Sequence, residues 1–166
     1  VGARTDLGFA VQQIDKNVDV ILPRIEMADK VIKVGGAALF KKDKWVGYAD
    51  EYAVAGRKFA AATEKSAVVT IPCPNHANHQ VVFELFLHET KLRPHVTGDQ
   101  VYFTLDITMY GNVGELQGDI TEDDTMDPSY TRKLEIGFAE EIKRNILYAE
   151  QVFKKEMRVD PIGLFA

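Results

Sequence analysis

Cysteine is almost missing from this 166-residue chain: Cys73 is the only one, so no internal disulfide can staple the fold. It stands between prolines in Pro72-Cys73-Pro74, and none of its neighbours in sequence supplies a base or cation to lower its pKa. The residue types therefore predict a small apolar side chain at a strand end. Long hydrophobic runs are missing too. The longest, such as Val81 to Leu87, fall far short of the roughly 20 residues a membrane-spanning helix needs. A basic excess is also lacking: the formal net charge is −5, which opposes nonspecific nucleic-acid binding, since that needs a dense cationic face to displace phosphate counterions. No G-x-S-x-G elbow, P-loop or dinucleotide fingerprint occurs, so the sequence nominates no nucleophile, acid, base or cofactor.

Two groupings could be taken for metal sites. His76 and His79 stand three apart in the polar loop 75–79, but two imidazoles lack the third and fourth ligands zinc requires. Asp119, Glu122, Asp123, Asp124 and Asp127 do not follow the spacing of a calcium loop, and carboxylates before a helix are stabilised by its macrodipole in any case. Neither grouping predicts a bound metal.

What is present is one core's worth of apolar residues, 46% of the chain, enough for one globular unit. Leu7, Ala10, Val11 and Ile14 follow Thr5-Asp6 at helical spacing and predict a short amphipathic helix ended by Lys16-Asn17. Residues 18–22 read as an extended connector stopped by Pro23, which places a boundary near Leu22-Pro23. Val31 to Phe40 is apolar on both faces, as in a covered strand, and Gly35-Gly36 marks a bulge or a close neighbour. Lys41-Lys42-Asp43-Lys44 then turns the chain into Trp45 to Ala49, the second arm of a hairpin, with Asp50 placed to cap a helix over 51–63 whose stripe is Tyr52, Ala55, Phe59 and Ala62.

Strands follow at 67–71, stopped by Pro72, and at 80–92. Beyond Thr97-Gly98, Val101, Phe103, Leu105, Ile107 and Met109 alternate with Tyr102, Thr104, Asp106, Thr108 and Tyr110, which predicts a strand with one face on a core. Asp127-Pro128 starts the longest helix, reaching about Met157, with Leu134, Phe138, Ile142, Ile146, Ala149 and Phe153 as its stripe. The expected class is α+β: a mixed, largely antiparallel sheet with the long C-terminal helix packed across one face and shorter helices beside it.

Read in order, Ile21-Leu22-Pro23, Val34 to Gly47 with its Lys41-Lys42-Asp43-Lys44 turn, Val69 to Pro74, and Gly111-Asn112-Val113-Gly114-Glu115 resemble the C-terminal domain of the Ger(x)C proteins, the lipoprotein C subunits of spore germinant receptors. The hairpin is the most specific part of the likeness. The resemblance implies a linker from a preceding domain over 1–22 and the family domain over 23–166. That domain normally continues past Asp160-Pro161-Ile162-Gly163, so truncation at the C-terminal end is expected. It further implies a noncatalytic receptor subunit with no cofactor, held by an N-terminal lipid on the outer face of the spore inner membrane and assembled with integral-membrane subunits of the A and B type. The lipid-bearing cysteine lies outside this chain, so Cys73 is not it.

A subunit of that kind acts through contacts. Candidate surfaces are the Trp45 and Tyr48 arm beside Lys41, Lys42 and Lys44, the outward Tyr102 and Tyr110 face, and the helix end near Phe153. The hairpin arm is preferred, because basic residues beside an aromatic suit an acidic membrane or subunit. The alternative reading, a small-ligand-binding or enzymatic α+β domain, requires a concave pocket with convergent polar groups.

Overall fold

A computed structural model describes residues 7–16, 18–61, 66–76, 78–116 and 127–160. In chain order the elements are α1 (Leu7–Asp15), β1 (Val20–Ala28), β2 (Val31–Lys41), β3 (Lys44–Ala49), α2 (Glu51–Ala60), β4 (Ala67–Pro72), β5 (Gln80–Thr97), β6 (Gln100–Leu116) and α3 (Pro128–Glu150), which passes into a π-helical stretch over Gln151–Met157. The chain divides into two units, Val1–Lys58 with Asn145–Ala166, and Phe59–Arg144; the division falls within α2 and within α3.

The first unit is built on the antiparallel sheet β1-β2-β3. Its core gathers Ile21, Ala37, Leu39 and Ala49 from the sheet, Ala53 and Val54 from α2, and Ala149, Val152, Phe153 and Val159 from the chain's last elements. Removing a side chain the size of Leu39 or Phe153 from water stabilises the fold by about 1.5–3 kcal/mol. Two glycines allow close backbone approach. A Cβ on Gly36, whose φ is +72°, would lie 2.2 Å from the Ala49 carbonyl oxygen, and one on Gly56 would lie 2.0 Å from that of Asn145. Between Pro23 and Ile25 the β1–β2 register shifts opposite Gly35-Gly36, giving the expected bulge. Val20 to Ala28 is one strand, so Leu22-Pro23 lies inside an element.

Asp50 caps α2 by accepting the Ala53 N–H at 2.8 Å, and its other oxygen accepts the Tyr148 hydroxyl at 2.6 Å. The helical stripe differs from the expected one. Tyr52 is exposed, whereas Ala53, Val54, Phe59 and Ala60 are buried, and Ala62 lies outside the described residues. Register on a ten-residue helix is set by what the cap and Gly56 lock against the neighbouring elements, and a sparse apolar pattern does not reveal that. Among the described side chains of α1 only Ala10 is buried, while Val11 and Ile14 are exposed; the expected cap at Thr5-Asp6 and the side chain of Leu7 lie outside the described residues.

The second unit holds the antiparallel sheet β4-β5-β6. Leu134, Phe138 and Ile142 of α3 are buried with Val69, Ile71, Val81 and Leu85, and the Phe138 ring lies 5.0 Å from that of Phe83. α3 starts where Asp127 predicts: its carboxylate accepts the Ser129 N–H at 2.9 Å and hydroxyl at 2.8 Å. Those bonds hold its carboxyl below the usual range. The fold is thus α+β with the long helix on an antiparallel sheet, the strands forming two three-stranded sheets rather than one.

The expectation for β6 needs correcting. β5 and β6 run on as a two-stranded ribbon well past β4, which pairs only with Gln80 to Leu85, and no residue from Phe86 to Gly114 is buried. Val101 and Phe103 alternate as predicted, yet they are 61% and 40% exposed. Periodicity reports which residues share a face, and only packing decides whether that face is covered.

Candidate functional site

The β2–β3 hairpin turns through Lys42 and Asp43, with Lys42 in the left-handed region at φ +58°. Leu39 pairs with Gly47 and Phe40 with Trp45, so Val46 is an extra residue on β3. A regular strand sends positions 45 and 48 to opposite faces, but one added residue restores them to the same face. Trp45 and Tyr48 therefore meet edge to face, with ring centroids 5.3 Å apart, while remaining 55% and 51% exposed. Val46 turns instead toward the core.

Sequence reasoning missed a third member, Arg24 of β1, whose guanidinium carbon lies 4.6 Å from the Tyr48 ring centroid. It reaches Tyr48 across β2, whose intervening positions include Gly36 and Ala38, and it also pairs with Glu26. Its separation from Tyr48 in sequence hides the contact; an exposed Arg beside a strand proline was the available hint. A guanidinium over an exposed aromatic contributes about 0.5–1 kcal/mol.

The lysines separate from the aromatics. Lys41, Lys42 and Lys44 are all exposed, but Lys41 Nζ donates to the Arg158 carbonyl at 2.9 Å, and strand alternation sends Lys41 and Lys44 to the face opposite Phe40 and Trp45. The patch beside Trp45 and Tyr48 is thus completed by Arg24. As for the other surfaces, Phe153 is 1% exposed in the first unit's core, so it anchors the fold; Tyr102 stacks on His95 at 4.8 Å, and Tyr110 is exposed.

Cys73 is buried, as expected, but it has company that the sequence reading did not find. The Tyr130 hydroxyl lies 3.5 Å from Sγ and His76 Nδ1 lies 3.7 Å away. Burial pushes the thiol up; hydrogen bonds from Tyr130, the Asn75 backbone and His76 outweigh it, so the net shift is downward. The loop is closed by backbone bonds, with His79 donating to the His76 carbonyl and Cys73 to that of His79, and the His76 and His79 rings stack at 5.6 Å. Among the described residues no three His, Cys, Asp or Glu come together as a metal-binding group. Asp119, Glu122, Asp123 and Asp124 lie outside the described residues. No helix among them is long and apolar enough to cross a membrane.

The domain model described as "Spore germination B3/ GerAC like, C-terminal" matches residues 35–165, and the chain belongs to that family. Its fold is that of the solved structure titled "Crystal Structure of the GerBC protein", with a TM-score of 0.82 at 17% identity over 96% of this chain. The chain spans 49% of the GerBC chain. No curated protein matches it. The family is one of spore germination proteins, defined by that process rather than by an enzymatic activity.

Proposed function

We propose that this chain is a noncatalytic domain of a germinant-receptor C subunit, working by protein contact at the outer face of the spore inner membrane. In this reading residues 1–22 lead in from a preceding domain and 23–166 form the family domain. An N-terminal lipid outside this chain holds the subunit to the membrane, beside integral-membrane subunits of the A and B type. Family membership supports the setting.

The observation that carries the contact mechanism is the exposed Trp45–Tyr48 pair under Arg24. Interfaces are anchored by Trp, Tyr and Arg, and truncating such an anchor commonly costs 2 kcal/mol or more, about thirtyfold in affinity. A bulge that spends an extra residue to bring two large aromatics to one wet face does nothing for the core beyond what Val46 supplies.

The test replaces Trp45 and Tyr48 together with Ala in the full-length lipoprotein, with Lys41, Lys42 and Lys44 replaced by Glu in a second strain. Subunit level and germination rate are measured in both. The expected result is normal folding with receptor assembly and germination reduced at least tenfold by the aromatic pair, and less by the lysines. Wild-type assembly and germination in the aromatic variant would remove this face from the mechanism.

A further inference from the structure

From Leu87–Tyr110 to Thr97–Gln100, β5 and β6 pair over eleven residue pairs, about 35 Å, with no third strand beside them among the described residues. An isolated two-stranded ribbon is at best marginally stable in water. Among the described residues no strand pairs with the outer edge of either strand in this stretch, and the two edges are not alike. β5 carries Lys91, Arg93 and Pro94 in this stretch, the residue types that discourage a further strand from pairing. β6 from Gln100 to Tyr110 carries no Lys, Arg, Pro or Gly; its one charge, Asp106, is held by Arg93 at 2.7 Å, and the rest is rich in Val, Ile, Thr, Tyr and Phe.

Beside that unguarded edge, one face of the ribbon is apolar. Val96 opposes Val101, Pro94 opposes Phe103 and Leu92 opposes Leu105; Val96 is 72% exposed, and Val101 and Phe103 are largely open as well. A strand laid along β6 would extend this face and bury part of it with every second side chain. Charge selects the incoming segment. In sequence the unit Phe59–Arg144 holds 14 Asp and Glu against 7 Lys and Arg, a net of −7, of which its described residues carry 9 against 6, a net of −3; the rest of the chain holds 11 against 13, a net of +2. The ribbon between Leu87 and Tyr110 is itself −1, from Glu89, Asp99 and Asp106 against Lys91 and Arg93.

We infer that the free edge of β6, over Tyr102 to Tyr110, is a β-strand-addition site for an extended segment of a separate polypeptide in which apolar residues alternate with Lys or Arg. Backbone hydrogen bonds supply the pairing, Val101, Phe103 and Leu105 supply the surface for alternate apolar side chains, and the acidic field of the unit draws the basic ones. The inference is independent of the Trp45–Tyr48 patch.

The experiment titrates the 166-residue chain with a ten-residue synthetic peptide alternating Val and Lys, following amide hydrogen exchange residue by residue. Three comparison peptides accompany it: Glu in place of Lys, backbone N-methylation at every Val, and N-methylation at every Lys. A strand pairs through one edge, so one methylated set should lose about tenfold or more in affinity and the other should keep it. The Glu peptide should bind at least about tenfold more weakly, and amides within Tyr102 to Tyr110 should gain protection. Absence of binding at millimolar peptide, methylated sets that behave alike, or protection confined to other strands overturns the inference. Protection of β6 that rises with protein concentration in the absence of peptide overturns the peptide as occupant and makes it a second copy of this chain.

Discussion

Asp50 does two jobs with one carboxylate. One oxygen caps α2 and the other takes the Tyr148 hydroxyl at 2.6 Å, so that bond, burial and the nearby Asp50 and Glu156 charges raise the tyrosine's pKa above its ordinary value. A group raised on folding contributes stability in full below its unfolded pKa, about 10 for tyrosine, and the contribution is lost as pH climbs through the folded value. Thermal melts from pH 8 to 11 should therefore show an alkaline decline that Tyr148→Phe flattens. Asp50→Ala should cost about 1–2 kcal/mol in urea unfolding at pH 7, since it removes cap and partner together. At Cys73 the shift runs the other way. A thiol lowered on folding adds stability above its unfolded pKa, and that addition is lost as pH falls through the folded value. Cys73→Ala should fold, with a loss of about 1–2 kcal/mol.

The longest helix earns its length by serving different cores along its course. Leu134, Phe138 and Ile142 are buried in one unit, and Ala149 in the other, with Val152 and Phe153 following in the π-helical stretch. Phe138 packs on Phe83, so Phe138→Ala should cost about 3–5 kcal/mol, and Phe138→Asp should leave the chain unfolded or aggregated. A monodisperse Phe138→Asp protein with an unchanged melting curve would place the helix elsewhere. In α2 the expected stripe was one residue out of register at its start. Tyr52→Ser should accordingly change stability by no more than about 0.5 kcal/mol, whereas Val54→Ser, losing a buried side chain and adding a hydroxyl, should cost about 1–3 kcal/mol.

Across the whole molecule, stability is unevenly spread. The base of the β4-β5-β6 sheet holds Val69, Ile71, Val81 and Leu85 buried, whereas nothing from Phe86 to Gly114 is. Native-state hydrogen exchange should find the amides of Leu92 to Phe103 opening at low free energy, and those of Ala37, Leu39, Val69 and Ile71 opening only near the global value. Protection in the ribbon equal to that of the base, and independent of protein concentration, would mean a packing partner within the chain. Net charge is partitioned as unevenly, −7 against +2, which the overall −5 conceals.

Local chemistry determined much of this by itself. Pro72 ends β4 and Pro128 opens α3, whereas Pro23 and Pro94 sit inside strands; Asp50 and Asp127 open helices because a short acceptor side chain meets unpaired N–H groups; alternation marks the faces of β6. Each is a short-range effect, written within a few residues. Tertiary structure decided the rest, because those outcomes depend on residues distant in sequence. Arg24 stands over Tyr48 only through β1 pairing on β2 and β2 on β3. Trp45 and Tyr48 share a face only because the register opposite Leu39 and Phe40 ejects Val46 as a bulge. Cys73 acquires Tyr130 as a partner only when α3 settles on its sheet. The exposed half of the β5–β6 ribbon follows the same rule: its alternation is a property of the strand, but burial is a property of what lies against it.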